Sequence, residues 1–163
     1  MKIFVTVGTQ KFQFNRLMKM IDEVSKTLGS SFEFVVQYGY STYKFTEITA
    51  YDFLNQSDFD SLLKDCDILI THGGVGSIHK GLKYNKKVIV VPRLQEYKEH
   101  VDSHQLDITN KYSDLGVVIK ANNVEELKKA ICSDNVSGSL TFTGNNQICN
   151  YIERYIRGEG YDS

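Results

Sequence analysis

Short apolar runs, each cut off by a glycine or a proline and each followed by helical spacing, constrain this chain more than any other feature. Residues 2–7 stop at Gly8-Thr9, residues 32–37 at Gly39, residues 68–71 at His72-Gly73-Gly74-Val75-Gly76-Ser77, and residues 87–91 at Pro92. β-Branched and aromatic side chains dominate the runs, as in strands buried on both faces. Pro92 lacks the amide that a central ladder would need to continue. Between the runs, Phe14, Leu17, Met18, Ile21 and Val24 recur at helical intervals and stop at Gly29. The spacing predicts further helices over about 58–67, 77–84, 101–112 and 124–131, with short strands in 46–53 and 116–119.

Strands alternating with helices specify βαβ units and a parallel sheet covered on both sides. The expected fold is therefore α/β, a Rossmann-like doubly wound parallel sheet formed by residues 1–163 as a single domain. Ligands of such sheets bind beyond the carboxyl ends of the strands, where the strand order reverses. That point falls between the first strand and the one preceding His72, so the turns at Gly8-Thr9 and Gly73 to Gly76 are expected to face each other across one crevice.

Composition narrows the function. Nineteen Lys and Arg against 20 Asp and Glu give a formal charge of -1, which supplies no general attraction for phosphate backbones or anionic lipid. Nucleic acid is not an expected partner. The first apolar stretch is broken by Thr6 and Gly8 before it reaches the length of a secretion signal, and no run approaches the 18 or so apolar residues of a membrane span. Cys66, Cys132 and Cys149 are widely spaced, without a CxxC or Cys/His ligand pattern, and read as reduced thiols of a cytoplasmic protein.

The glycine segment 73–77 lies between an expected strand and an expected helix. Missing Cβ atoms let backbone amides approach a ligand, and a helix head favours an anion such as a diphosphate. The same glycines also suit a plain tight turn. Ser77 is either a phosphate donor or the N-cap of the helix. A P-loop would need Gly-Lys-Ser/Thr, and a dinucleotide fingerprint would follow the first strand rather than a middle one. His72 either donates to a phosphate or sugar hydroxyl or packs at its strand end. Glu99, His100, His104 and Gln105, placed after the next strand, suit hydroxyl recognition. The spacing of His100 and His104 on an expected helix is compatible with one metal face, but no third ligand joins them, and no metal site is assigned. Gln37 either reaches the crevice or satisfies local backbone groups. No GxSxG elbow is present, which leaves hydrolase chemistry without support.

Together, Val5-Thr-Val-Gly8-Thr9, Thr71-His-Gly-Gly-Val-Gly-Ser77, Val90-Val-Pro-Arg93 and Glu99-His-Val-Asp-Ser-His-Gln105 resemble the C-terminal domain of family-28 glycosyltransferases. Within that family the chain resembles the small donor-binding subunits of split enzymes, those of capsule and exopolysaccharide synthesis and that of the dolichol-pathway N-acetylglucosaminyltransferase. The opening Phe4 to Gln10 followed by Phe14-Asn15-Arg16-Leu17 is particularly similar to the former. The resemblance implies a GT-B half-domain that binds a UDP-sugar and works with a membrane-anchored partner subunit, which supplies the other half. It implies transfer to a polyprenyl-linked acceptor at the cytoplasmic face of the membrane, with no tightly bound cofactor. A general base is then expected on the partner, and His72, Glu99 and His100 are the catalytic candidates here. Donor binding is implied for Gly8, Thr9, Gln37, His72, Gly73, Gly74, Gly76, Ser77, Arg93, Glu99, His100, His104 and Gln105. Many family members carry a ribose-binding glutamate where this chain has Lys80, and lysine offers no acceptor lone pair. An accessory subunit that enhances a partner transferase is the alternative this departure suits. A last amphipathic helix, about 144–157, with Ile148, Tyr151, Ile152, Tyr155 and Ile156 on one face, either packs on its own sheet or docks the partner.

Overall fold

The computed structural model describes residues 1–102 and 104–134 of the 163. Six strands form one parallel sheet: β1 (Lys2–Thr6), β2 (Glu33–Gln37), β3 (Thr49–Tyr51), β4 (Ile68–Thr71), β5 (Lys87–Val90) and β6 (Ile119–Lys120). Their order across the sheet is β3-β2-β1-β4-β5-β6. The chain therefore steps outward from β1 through β2 to β3, returns to lie beside β1, and steps out the other way. The reversal falls between β1 and β4, as the sequence predicts.

Helices α1 (Asn15–Leu28) and α5 (Val124–Cys132) cover one face, and α2 (Gln56–Asp65), α3 (Val75–Lys83) and α4 (His104–Asp114) the other. The apolar runs are continuous because their strands alternate between two covered faces. Ile3, Val5 and Val7 pack toward α1 and α5 with Ile68, Ile70, Ile89 and Val91, whereas Phe4, Leu69, Val88 and Val90 pack toward α2, α3 and α4. Each such fully buried aliphatic or aromatic side chain contributes about 1.5–3 kcal/mol relative to exposure. Leu17, Met18, Ile21 and Val24 form the inner stripe of α1, and the helix ends at Gly29 in the left-handed region, φ 71°. Asn55 and Asn123 cap α2 and α5 by accepting from the backbone N–H three residues on.

Several boundaries differ from expectation. α3 opens at Val75 with Gly74 as its N-cap, so Ser77 is the third helical residue and not the cap. Valine and glycine are weak helix formers and gave no start signal. The strand expected over 116–119 pairs only at Ile119 and Lys120, because Gly116, at φ 69°, closes α4 and turns the chain first. α4 opens at His104, whereas Val101 is exposed in the preceding turn. His100 therefore precedes the helix, and the helical spacing to His104 does not apply. The expected helix at 144–157 and Cys149 lie outside the described residues. Among the described residues, no helix is long and apolar enough to cross a membrane.

Candidate functional site

The site is built where β1 and β4 end side by side. Beyond β1, Gly8 turns with φ 72°, a conformation open to glycine and strained for other residues. Beyond β4, the ring of His72 lies between the two glycine turns. A Cβ added to Gly8 would stand 2.6 Å from His72 Cε1, and one added to Gly74 would stand 2.3 Å from His72 Nε2. The turns thus face each other, as expected, with an imidazole filling the space between them.

His72 is buried, and its Nδ1 lies 3.2 Å from Thr71 Oγ1. Burial pushes its pKa down to about 3, helped by the positive charge of Arg93. The ring is therefore neutral at physiological pH, a hydrogen-bonding group and not a cation.

Gly73 is fixed by packing: a Cβ there would meet the Gln105 carbonyl oxygen at 2.6 Å and Thr109 Oγ1 at 2.8 Å. α4 consequently sits directly against the glycine segment, and Thr109 Oγ1 donates to that same Gln105 carbonyl at 2.6 Å. Gly76 differs. It is exposed, and a Cβ there would meet nothing within 4 Å. The head of α3 has no side-chain cap, and helix geometry directs its first amides outward beside this open surface. That combination suits an anion.

Two side-chain amides near this edge of the sheet have unmet capacity. Gln37 ends β2 in register with Thr6 of β1. Its side chain and that of Gln105 are both buried, and Oε1 of each lacks a hydrogen-bond partner among the described residues. A buried carbonyl oxygen left unpaired costs about 1–3 kcal/mol, which a ligand hydroxyl or N–H can recover.

Arg93 and Glu99 are placed differently from what hydroxyl or phosphate recognition requires. Arg93 is fully buried, with Nη2 donating to the Val7 carbonyl at 2.9 Å and Nη1 to those of Phe12, Gln13 and Glu99 at 3.1 Å each. Burial pushes its pKa down to about 10, against the favourable charge of Glu99, so it stays cationic. The Glu99 carboxylate, also fully buried, accepts from Arg16 Nε at 3.1 Å, Arg16 Nη2 at 2.9 Å and the Leu94 amide at 2.9 Å. The Arg93 Nη atoms and the Glu99 carboxylate are committed to the loops that frame the crevice, while Arg93 Nε, also buried, has no hydrogen-bond partner among the described residues.

His100 is half-buried against Phe12, ring centroids 5.7 Å apart, with Nδ1 3.0 Å from Asp102 Oδ1. Thr9 is exposed at the crevice mouth. The side chain of His104 lies outside the described residues. Lys80 turns onto α2, its ammonium 4.7 Å from the Phe59 ring centroid and 3.9 Å from Asp60 Oδ1. The structure thus brings Gly8, Gln37, His72, Gly73, Gly74, Gly76 and Gln105 to one edge. It adds Arg16, which sequence reasoning passed over; its signal was an arginine one position before the buried Leu17.

Comparison with known proteins agrees with this architecture. ALG13, a UDP-N-acetylglucosamine transferase subunit of Candida albicans, is 28% identical over 113 residues, 69% of this chain and 37% of its own length. The subunit of that name from Debaryomyces hansenii is 29% identical over 107 residues, 66% of this chain and 47% of its own. The chain spans less than half the length of these two relatives. An NMR solution structure of ALG13 matches with a TM-score of 0.63 at 19% identity, covering 94% of both chains. The glycotransferase of kitacinnamycin matches with a TM-score of 0.63 at 18% identity, over 98% of this chain and 40% of that one. Those two likenesses concern the fold. The model of the glycosyltransferase family 28 C-terminal domain matches residues 2–142, and the chain belongs to that family.

Proposed function

We propose that this protein is the donor-binding catalytic subunit of a two-component glycosyltransferase, moving a sugar from a UDP-sugar to a polyprenyl-linked acceptor in surface polysaccharide synthesis. The observation that carries the reading is the open head of α3 at Gly76, next to a neutral buried His72 and two unpaired amide oxygens. Backbone amides there would take the diphosphate, and the oxygens of Gln37 and Gln105 would take hydroxyl groups. As the anomeric carbon to phosphate bond breaks, charge grows on the leaving UDP, and preorganised amides at a helix head stabilise that charge more than the ground state. His72 assists as an uncharged N–H donor. The printed names of the relatives, transferase subunits for UDP-N-acetylglucosamine, support a subunit with a UDP-sugar donor.

A partner subunit anchored at the cytoplasmic face of the membrane would supply the acceptor side and the general base. This fits the commitment of Glu99 and Arg93 to the framework, which leaves the described crevice without an unpaired carboxylate base. The second reading, an accessory subunit that enhances a partner transferase without binding donor, is favoured by Lys80, whose ammonium rests on Phe59.

Calorimetric titration with UDP and a panel of UDP-sugars, with and without the candidate partner, separates the two. Saturable binding abolished by Gly76→Trp in a folded protein supports the donor subunit. No binding under any of these conditions overturns it in favour of the accessory role.

A further inference from the structure

We propose that Arg93, Glu99 and Arg16 are positioning residues that bridge the end of β4 and hold the two walls of the crevice at a fixed separation around His72. The proposal rests on the donor-subunit reading for its functional consequence and on geometry alone for its mechanical one.

In the sheet, β4 lies between β1 and β5. The loop after β1 and the loop after β5 therefore flank the end of β4, where His72 sits. Arg93, from the β5 side, reaches the carbonyls of Val7, Phe12 and Gln13 on the β1 side. Arg16, from the first turn of α1, reaches back to the Pro92 carbonyl at 2.7 Å and takes both oxygens of Glu99. The Phe14 ring lies against both guanidinium groups, at 4.8 Å from Arg93 and 5.3 Å from Arg16. Gln13 Nε2 donates to the Tyr97 carbonyl at 3.1 Å, adding a third strut between the walls.

The planar, multi-donor fork of arginine is what allows one side chain to hold four carbonyls on two loops. A lysine in its place offers one point of charge and cannot span them. The loop after β5 also stores strain: Lys98, immediately before Glu99, has φ 56° without being glycine. Non-glycine residues occupy that region only where their surroundings determine it. Here the determinant is the buried Glu99 carboxylate, which pulls the chain in behind it and takes the Leu94 amide as well.

The test uses Arg93→Lys, Glu99→Gln and the milder Arg16→Gln, with Asp22→Asn as a control that breaks a buried hydrogen-bonded site elsewhere on α1. Hydrogen exchange followed by mass spectrometry reads the walls directly and needs no ligand. Residues 8–14 and 92–99 are expected to exchange at least about tenfold faster in each clamp variant, with β1 and α5 unchanged, since local opening costs less once a buried pair is broken. In the control, exchange at 92–99 stays as in wild type. With UDP as the probe, the clamp variants are expected to lose about tenfold or more in affinity, and Arg93→Lys fails to rescue. Lys98→Gly, which relieves strain without touching a clamp atom, retains wild-type UDP affinity. Unchanged exchange at 8–14 in Arg16→Gln and Glu99→Gln would overturn the proposal. Altered exchange together with a wild-type protein that does not bind UDP would instead overturn the donor-subunit reading and leave the clamp standing.

Discussion

The imidazole of His72 occupies the space that a side chain on Gly74 would need, 2.3 Å from the position of its Cβ. Two residues apart in sequence, they are mutually exclusive in size: the ring can be there because the glycine has none. Gly74→Ala is expected to push the ring toward the Gly8 turn, which is itself close enough that a Cβ added there would stand 2.6 Å from the ring. The cost should be about 1–3 kcal/mol, as for other insertions into filled space, with a matching fall in UDP affinity. Thermal denaturation and calorimetry check the two effects.

Gly76 should behave in the opposite way. A Cβ there meets nothing within the protein, and alanine favours an exposed helical position over glycine by about 1 kcal/mol. Gly76→Ala is expected to raise the melting temperature while weakening UDP binding, because the added methyl stands where the ligand approaches. Stability and affinity moving together would count against a ligand at the head of α3.

The pH dependence of stability carries a His72 signature. Its pKa falls from 6.5 to about 3 on folding, so below pH 6.5 the unfolded chain binds a proton that the folded one refuses. Stability from this group is present in full above pH 6.5 and is lost as pH falls toward 3, by up to about 1.4 kcal/mol per pH unit. Between pH 4 and 6.5, His72→Gln should show a flatter loss of melting temperature than wild type. Asp22, whose carboxyl is held below its ordinary range by the hydrogen bond from Lys26, contributes stability at higher pH and loses it mainly below that window, as pH falls past its ordinary value of 3.8.

Thiol labelling should be selective. Burial pushes the Cys66 pKa up to about 11, whereas Cys132 is exposed. Because the thiolate is the nucleophile, a thiol reagent at pH 8 is expected to modify Cys132 in the native protein and Cys66 only after denaturation. Peptide mass mapping distinguishes the sites, and rapid native labelling of Cys66 would contradict its placement against Leu63.

Lys80→Ala tests whether lysine at this position bears on the nucleotide. Its partners are Phe59 and Asp60 on α2, and an exposed cation–π contact with a long ion pair is worth about 1 kcal/mol or less. The substitution is expected to leave UDP affinity within about twofold of wild type at that small cost in stability. A larger change, read by calorimetry, would place the lysine at the ligand.

Residues that form their structure with near neighbours were legible in the sequence. The runs ending at Gly8, Gly39, Gly73 and Pro92 are strand ends because glycine and proline act locally, and the reversal between β1 and β4 follows once strands and helices alternate. The roles of Arg93 and Glu99 were not legible. Their partners lie 80 to 86 residues away or on the far side of a turn, and a charged residue after a strand reads the same whether it meets a ligand or a distant carbonyl. The start of α3 was misplaced because Gly74 caps it without a side-chain bond. His100 was placed on a helix because nothing in Lys98 announces a left-handed turn.

The pairing of β1 with β4 joins residues such as Ile3 and Ile68, with β2, β3 and two helices between them in the chain. Non-local parallel pairings of this kind close late, since loop entropy must be met before the contact returns anything. The crevice lies on that seam, so a form of the chain in which β1 and β4 are unpaired does not contain it. A ligand of this edge therefore binds only the finished fold, and at a concentration of 100 Kd it would hold that fold by about 2.7 kcal/mol through mass action alone. In a cell, supply of such a ligand would set how much of this protein survives proteolysis as well as how fast it works.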